Sequence, residues 1–204
     1  MIFIGIGSAA RVGKDSLGKI LIEKFAKTGL VAKRFALADP LKDKLDTFVQ
    51  KEFGFSAFTE ITEEKALIRP LLVAFGGAKR AQTKGRYWTQ ILEEKASRDA
   101  LCDIAVVTDL RYAELGESDE AFWIKNKGGI LIHVTRLGEN GKQIPYVNED
   151  EARNDVLVKE MADFKFEWRC FEKYPEELNK TDELFKGISE EIERREIIRV
   201  FGNE

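Results

Sequence analysis

The chain reads Ser8-Ala9-Ala10-Arg11-Val12-Gly13-Lys14-Asp15-Ser16 where an apolar run gives way to a helical pattern. The apolar run, residues 2–7, predicts a buried strand, and apolar residues then recur at Leu17, Leu21 and Phe25, which is helical spacing. A strand, a loop of small residues and Gly-Lys at the start of a helix suit phosphate binding, because the loop N–H groups and the positive end of the helix can point at one anion. We therefore predict that this loop binds the phosphates of a nucleotide.

Two positions of the loop depart from the usual phosphate-binding pattern. The first glycine of that pattern falls on Ser8, and the residue after Lys14, normally a Ser or Thr that ligates magnesium, is Asp15. An alternative interpretation is a loop that only joins a strand to a helix, but the elements on either side favour phosphate binding. The residues predicted to contact the nucleotide are Ser8, Ala10, Arg11, Val12, Gly13, Lys14, Asp15, Ser16 and, from a later strand, Arg136.

The composition excludes several classes of protein. The chain has 204 residues, 44% of them hydrophobic and 10% aromatic, which suits one domain (residues 1–204) with a small lid. The net charge of −3 leaves no general basic surface, so we expect no nucleic-acid partner. No apolar run approaches the roughly 18 residues of a membrane span, so we expect no membrane partner. The N-terminal residues lack the basic stretch and cleavage site of a signal peptide, which predicts a cytoplasmic protein.

The cysteines and the histidine agree with this interpretation. Cys102 and Cys170 lie far apart and lack the spacing of metal ligands, so we expect reduced thiols, as in the cytoplasm. His133 is the one histidine of the chain, which excludes a histidine-rich metal site. Its place in a strand pattern predicts a packed side chain rather than a catalytic one.

Strand and helix patterns alternate along the chain, which implies a parallel sheet covered on both faces. We predict an α/β, three-layer fold with a five-stranded parallel sheet, helices on both faces and a small lid over about residues 137–153. Asp39-Pro40 predicts a helix start with Asp39 as N-cap, and residues 53–85 have a looser pattern. The strands after the first are predicted at residues 31–38, 104–108, 129–135 and 164–168. Helices are predicted at residues 15–28, 86–98 and 149–161, before Gly128, and at the C-terminus with Leu184, Ile188 and Ile192 on one face.

The chemically suggestive residues follow the predicted strand ends. Ligands of open parallel sheets bind at the carboxyl ends of the strands, where residues 8–16, Asp39, Asp109 with Arg111, and Arg136 fall. This coincidence predicts a single active site. Because phosphoryl transfer depends on alignment and charge neutralisation, we expect Asp109 to hold magnesium, directly or through water. Asp15 is expected to hold the metal or to orient the acceptor phosphate.

Several of these residues have a second interpretation. Asp39 could only cap a helix, and Asp109 could cap the helix that follows its strand. Arg80 and Arg86 join Arg111 and Arg136 as candidate phosphate clamps, because arginine binds phosphate oxygens with two N–H groups. Arg80 and Arg86 could instead be surface charges, whereas Arg111 and Arg136 lie at strand ends. Trp88, with Tyr87, could stack on a base or belong to the core.

Several blocks of the sequence resemble the bacteriophage-type deoxynucleoside monophosphate kinases. Gly13-Lys14-Asp15-Ser16 resembles their phosphate-binding loop, and Ala36-Leu37-Ala38-Asp39-Pro40-Leu41-Lys42 resembles the block after their second strand. Arg86-Tyr87-Trp88 and Val106-Val107-Thr108-Asp109-Leu110-Arg111-Tyr112 resemble two further blocks, and Gly128-Gly129 with a strand ending at Arg136 also fits. The similarity extends over roughly residues 1–168.

The resemblance implies a P-loop kinase fold and a magnesium-dependent transfer of the ATP γ-phosphate to a deoxynucleoside monophosphate. It implies a helical acceptor region at about residues 40–103, a possible homodimer and, for a phage protein, the host cytoplasm. The implied catalytic residues are Lys14, Asp15, Asp109 and Arg111, and the implied metal ligands are Asp15, Ser16 and Asp109. The implied substrate-binding residues are Asp39, Lys42, Arg69, Arg80, Arg86, Trp88 and Arg111. Arg136 and Arg153 are implied on the ATP side.

Three alternative functions stay open at this point. A phosphomevalonate kinase of the animal type shares the Gly-Lys-Asp and Asp-x-Arg blocks and also has a phosphate acceptor. Dephospho-coenzyme A kinase fits less well, because it normally has Ser or Thr directly after the lysine. A non-catalytic ATP-binding switch would leave the arginines between Arg69 and Arg86 unexplained.

Overall fold

The computed structural model describes residues 1–170 and 173–201 of the chain. In this part of the chain, five strands alternate with seven α-helices. The strands are β1 (Ile2–Gly7), β2 (Ala32–Phe35), β3 (Ile104–Leu110), β4 (Ile130–Arg136) and β5 (Phe164–Trp168). The helices are α1 (Lys14–Lys27), α2 (Ala38–Phe53), α3 (Thr62–Gln82), α4 (Arg86–Ser97), α5 (Glu120–Asn126), α6 (Glu149–Met161) and α7 (Lys180–Phe201), and a 3-10 turn spans Pro175–Asn179.

The strands form one all-parallel sheet in the order β2-β3-β1-β4-β5. β1 is the central strand, so the loop that follows it lies between the carboxyl ends of β3 and β4. Parallel strands that are covered on both faces are apolar throughout, and β1, β3 and β4 are almost wholly buried. The predicted α/β fold with a five-stranded parallel sheet is confirmed.

Two buried clusters cover the two faces of the sheet. Successive residues of a strand point to opposite faces, so Ile4 and Phe3 belong to different clusters. On one face, Leu17 of α1 and Ile188 of α7 join the cluster that contains Ile4. On the other face, α4, α5 and α6 join the cluster of Phe3, with Leu92 of α4 among its buried members. These helices make the outer two layers of a three-layer fold.

Residues 53–85 are more regular than the sequence predicts. α3 runs through most of this region as one continuous helix, although it contains Pro70 and two adjacent glycines. The helix is stabilised by tertiary packing, since Ile68 is buried with Val49 of α2 and Ala57. Such packing overrides the local preference of proline and glycine against helix.

The end of β2 and the start of α2 differ slightly from the prediction. β2 ends at Phe35, three residues earlier than predicted, because the chain turns into α2 at Ala38. Leu37, not Asp39, is therefore the N-cap residue of α2, and Asp39 lies in the first helical turn. The other predicted helices and strands agree with the structure to within a few residues, apart from α5, which is confined to Glu120–Asn126.

The remaining expectations concern the cysteines, the histidine, membrane-spanning helices and the predicted lid. Cys102 and Cys170 are free thiols, as expected, and His133 is buried in β4. None of the described helices is both long enough and apolar enough to cross a membrane. The polar segment 137–148 is held to its surroundings: Leu137 donates its N–H to Trp168, and Ile144 donates its N–H to Arg136. Its mobility stays a prediction.

The close approach of α1 to β3 gives a testable prediction about stability. A Cβ at Gly18 would lie 2.5 Å from Cγ2 of Thr108, a buried side chain of the sheet. Gly18→Ala should therefore lower the free energy of unfolding by about 1–3 kcal/mol, as overpacking does. The matched control is Gly77→Ala in α3, where a Cβ meets nothing within 4 Å and where the better helix propensity should add up to about 1 kcal/mol. Urea denaturation measures the free energy of unfolding of both variants. A Gly18→Ala protein as stable as Gly77→Ala would contradict the close packing of α1 on β3.

Candidate functional site

The loop between β1 and α1 has an unusual backbone. Arg11 and Gly13 both lie in the left-handed region, with φ of 63° and 91°. Left-handed residues interspersed in a loop direct neighbouring N–H groups into one concave surface. Gly13 is required there for two reasons, because its φ is positive and because a Cβ would lie 2.7 Å from the ring of Trp168.

The carbonyl groups of this loop are bound by protein donors. Lys14 Nζ donates to the carbonyl of Ser8, at 2.8 Å, and to that of Ala9. Arg136 donates to the carbonyl of Arg11 at 3.1 Å, and Trp168 Nε1 donates to the carbonyl of Val12 at 2.9 Å. The carbonyl of Gly13 accepts the first helical hydrogen bond of α1. The loop is therefore fixed through its acceptors.

The N–H groups of residues 11–16, at the end of this loop and the start of α1, differ from its carbonyls. Within residues 1–170 and 173–201, no acceptor binds the backbone N–H of any residue from Arg11 to Ser16. The first N–H groups of a helix are normally unpaired and carry its positive partial charge. Six consecutive N–H groups without a described acceptor, from the loop into the start of α1, are suited to binding an anion.

Lys14 adds a buried positive charge to this site. Its side chain is 8% exposed, and burial lowers the pKa of the amine to about 8, with a further decrease from the charge of Arg111. Asp109, Glu151 and Asp15 raise the pKa in part. A phosphate beside this amine would restore the charged form, so the site favours an anionic ligand.

Arg111 is the second cation of the site. It follows β3, and its backbone N–H donates to the buried carboxylate of Glu120 at 2.6 Å. Tyr112 donates its N–H to the same carboxylate at 3.1 Å, and burial raises the pKa of Glu120 to about 8. In the described part of the chain, no carboxylate forms an ion pair with the Arg111 guanidinium. Lys14 and Arg111 are therefore two cations close enough to affect each other, and Asp109 is a carboxylate that acts on both.

Asp15 lies at the start of α1 in a small charged cluster. Its Oδ1 accepts from the hydroxyl of Thr108 at 2.6 Å and from Nε of Arg34 at 3.2 Å. Arg34 also donates to Asp39 at 3.2 Å. Among the described residues no donor reaches Oδ2 of Asp15, and the side chain is 72% exposed. One oxygen of Asp15 is thus available to a ligand or cation.

Asp109 has a structural role that differs from the prediction. Its Oδ1 accepts the N–H of Leu37 and its Oδ2 accepts the N–H of Ala38, each at 2.8 Å. Burial raises the pKa of Asp109, and these two hydrogen bonds lower it in part. The carboxylate caps α2 rather than the helix after its own strand. Each oxygen accepts one backbone N–H and keeps a further lone pair, so the predicted contact of Asp109 with magnesium, direct or through water, stays a prediction.

Arg80 and Trp88 are not free to bind a substrate in this structure. Arg80 binds Asp119, which is fully buried, through Nε at 3.1 Å and Nη2 at 2.8 Å. Its guanidinium also stacks 3.8 Å above the ring of Tyr112. Trp88 is 5% exposed and donates its indole N–H to the carbonyl of Gly76 at 3.0 Å. Both side chains tie α3 and α4 to their neighbours in the ligand-free structure, and their substrate roles stay predictions.

The other predicted residues lie in different surroundings. Arg86 lines an open cavity of about 550 Å³ on α4, none of whose lining residues belongs to the loop. Arg69 is exposed on α3, and Lys42 Nζ lies 5.4 Å from the ring centre of Phe58. Arg153 forms ion pairs with Glu114 and Asp150.

A smaller cavity adjoins the loop itself. Its volume is about 140 Å³. Its lining residues are Val12, Gly13, Ser16, Arg136, Trp168, Arg169 and Cys170. Arg136 thus lies where the sequence predicts it, beside the loop, and the cavity extends the anion site toward the end of β5.

Sequence reasoning missed Arg34, Thr108, Glu151 and Asp155. The last two lie on α6 and bind the loop: Ala10 donates its N–H to Glu151, and Ala9 donates its N–H to Asp155. In sequence Glu151 is explained by the favourable end of a helix dipole, since it lies in the first turn of α6. Nothing in the spacing of these two acids connects them with a loop more than a hundred residues away.

The lowered pKa of Lys14 predicts how stability changes with pH. Below pH 8 the amine is charged in both the folded and the unfolded chain. Between pH 8 and 10.5 the folded chain has released the proton and the unfolded chain still binds it, so the free energy of unfolding rises with pH. From pH 7 to pH 10, the free energy of unfolding of the wild-type chain should rise by roughly 1–3 kcal/mol relative to that of Lys14→Met. Urea denaturation at several pH values tests this, and a constant difference between the two proteins would contradict it.

No protein-family model and no curated protein matches this chain. Its function is therefore argued from the residues and the geometry described above.

Proposed function

We propose that this chain is a kinase that transfers the γ-phosphate of ATP to the phosphate of a deoxynucleoside monophosphate. The observation that carries the proposal is the asymmetry of the loop after β1, whose carbonyls are bound by protein donors while the N–H groups of residues 11–16 are free. Lys14 and Arg111 add two cations, neither of which forms an ion pair within 4.0 Å in the described part of the chain. Together they suit a polyphosphate better than any other class of ligand.

On the donor side, the loop acts as a P-loop. The N–H groups and Lys14 would bind the β- and γ-phosphates, and Arg136 would border the nucleotide from the cavity beside the loop. Ser8 replaces the first glycine of the pattern without removing any of these donors. Its φ is not among the positive values of the chain, so a serine is tolerated at this position.

The residues present fit a magnesium ion that binds together with ATP. Within residues 1–170 and 173–201, no group of three or more acidic, His or Cys side chains could hold a metal alone. Magnesium usually binds through one or two carboxylates, with phosphate oxygens and waters as its other ligands. Asp15 would offer its Oδ2, Ser16 its hydroxyl, and Asp109 the lone pairs that its two N–H contacts leave, directly or through water. When bound, the ion would neutralise charge on the transferring phosphate.

On the acceptor side, Arg111 is the residue placed to bind the accepting phosphate. It lies close enough to lower the pKa of Lys14, so both cations would attract the same anion. An oxygen of the acceptor phosphate attacks the γ-phosphorus, a new O–P bond forms, and the bond to the β-phosphate oxygen breaks to release ADP. The choice of a deoxynucleotide as acceptor rests on the sequence blocks that resemble the phage-type kinases.

A coupled assay for ADP tests the proposal. The chain is given MgATP with each of the four deoxynucleoside monophosphates, and separately with phosphomevalonate and dephospho-coenzyme A. Turnover with a deoxynucleotide is expected, and Lys14→Ala should lower it at least about 100-fold, because preorganised charge on the transferred phosphate is lost. The matched control is Lys19→Ala, an exposed lysine of the same helix. Turnover with only another acceptor would reject the substrate, and near-normal turnover of Lys14→Ala would reject the P-loop.

Arg111→Ala separates the two halves of the site. It should raise the KM for the acceptor or lower kcat by about 10-fold or more, since a charged hydrogen-bond donor to phosphate is removed, while ATP affinity is retained. Arg98→Ala is the control, because Arg98 is exposed at the end of α4 and is not part of the loop cluster. Steady-state kinetics in both substrates provide the comparison. A selective loss of ATP affinity in Arg111→Ala would show that the division of the site is wrong.

A further inference from the structure

Two acids on α6, one helical turn apart, contact the loop after β1 and the segment that precedes α6. Residues four apart on a helix lie on the same face, and here Glu151 and Asp155 face the loop together. In each carboxylate, one oxygen accepts hydrogen bonds from the loop and the other accepts a hydrogen bond from residues 143–148.

Asp155 makes the deeper of the two bridges. Its Oδ1 accepts the hydroxyl of Ser8 at 2.8 Å and the N–H of Ala9 at 3.0 Å, and Nε2 of His133 lies 3.0 Å away. Its Oδ2 accepts the hydroxyl of Tyr146 at 2.9 Å. Burial would raise the pKa of Asp155, but the contacts with His133, Ser8 and Tyr146 lower it to about 2. The bridge is therefore charged at any ordinary pH.

Glu151 makes the outer bridge. Its Oε1 accepts the N–H of Ala10 at 2.5 Å, and its Oε2 accepts the N–H of Val147 at 3.0 Å. The side chain of Asn148, the N-cap of α6, accepts the N–H of Glu151 at 2.8 Å, which fixes the residue at the start of the helix. The loop and the segment thus share two carboxylates and do not need to touch each other.

We infer that Asp155 and Glu151 are positioning residues that hold the phosphate-binding loop in place and couple it to residues 143–148. The inference rests on the function proposed above for the loop, and it adds that nucleotide binding and the position of this segment are linked. The bound N–H groups, those of Ala9 and Ala10, lie directly before the free ones of residues 11–16. Any shift of α6 or of residues 143–148 would therefore move the start of the anion site.

Glu151→Gln tests the coupling, because glutamine has one acceptor and one donor where glutamate has two acceptors. The glutamine oxygen can accept the N–H of either Ala10 or Val147. The glutamine NH₂ group then faces the remaining N–H, and two donors cannot form a hydrogen bond. Asp150→Asn is the matched control, since Asp150 lies beside Glu151 on α6 and pairs with Arg153 instead of the loop. Hydrogen exchange measured by mass spectrometry follows peptides that cover residues 8–13 and 143–148, in the full chain, with and without MgATP.

In the ligand-free protein, Glu151→Gln should raise exchange about 10-fold in at least one of the two segments, as expected when a charged hydrogen bond is lost. Asp150→Asn should leave both unchanged. MgATP should slow hydrogen exchange in both segments of the wild type. In Glu151→Gln it should slow exchange in residues 8–13 only. Equal exchange in Glu151→Gln and wild type without ligand, or unchanged exchange of residues 143–148 in the wild type on MgATP binding, would overturn the coupling.

The same experiment separates this inference from the proposed function. If MgATP protects neither segment of the wild type, the nucleotide function fails, and the link to nucleotide binding fails with it. The ligand-free comparison still decides whether the two carboxylates hold the loop. Tyr146→Phe gives a second variant that removes only the hydroxyl contact with Asp155, and it should raise exchange in residues 143–148 without unfolding the chain.

Discussion

Other groups hold the backbone of the loop after β1, so that the N–H groups of residues 11–16 stay free of acceptors in the described part of the chain. A loop that used these N–H groups for its own hydrogen bonds would have none left for an anion. Here the carbonyls of Ser8 and Ala9 are bound by Lys14, and that of Val12 by Trp168. On the other side, Asp155 binds the start of the loop. The strand, both neighbouring strand ends and α6 therefore all contribute to one small, rigid concave surface.

The electrostatics of the site follow from the same construction. Lys14 is buried because its amine closes over the loop carbonyls, and burial is the main reason that its pKa falls to about 8. Arg111 lowers it further, since its own backbone is fixed by Glu120 and its guanidinium has no carboxylate partner in the described part of the chain. The ligand-free site thus holds two cations at a free-energy cost that an anionic ligand would offset.

Local signals in the sequence predict most of the fold and the centre of the site. Strand and helix periodicity and the Gly-Lys pair depend on neighbouring residues, so the sheet, α1 and the loop could be predicted. The role of Asp109 as the cap of α2 and the pairing of Arg80 with Asp119 depend on residues distant in sequence. The continuation of α3 through Pro70 also depends on distant residues, because tertiary packing overrides the local preference of proline against helix. These contacts carry no local signature.

A calorimetric titration of the ligand-free chain with MgATP at pH 9, in two buffers of different ionisation enthalpy, tests the central claim most directly. At that pH most of the Lys14 amine is uncharged, because its pKa is about 8, and a phosphate beside it should restore the proton. We predict one binding site with an uptake of close to one proton, absent in Lys14→Met. A lack of binding, or binding with the same proton uptake in both proteins, would contradict the assignment of this loop and its lysine to a nucleotide phosphate.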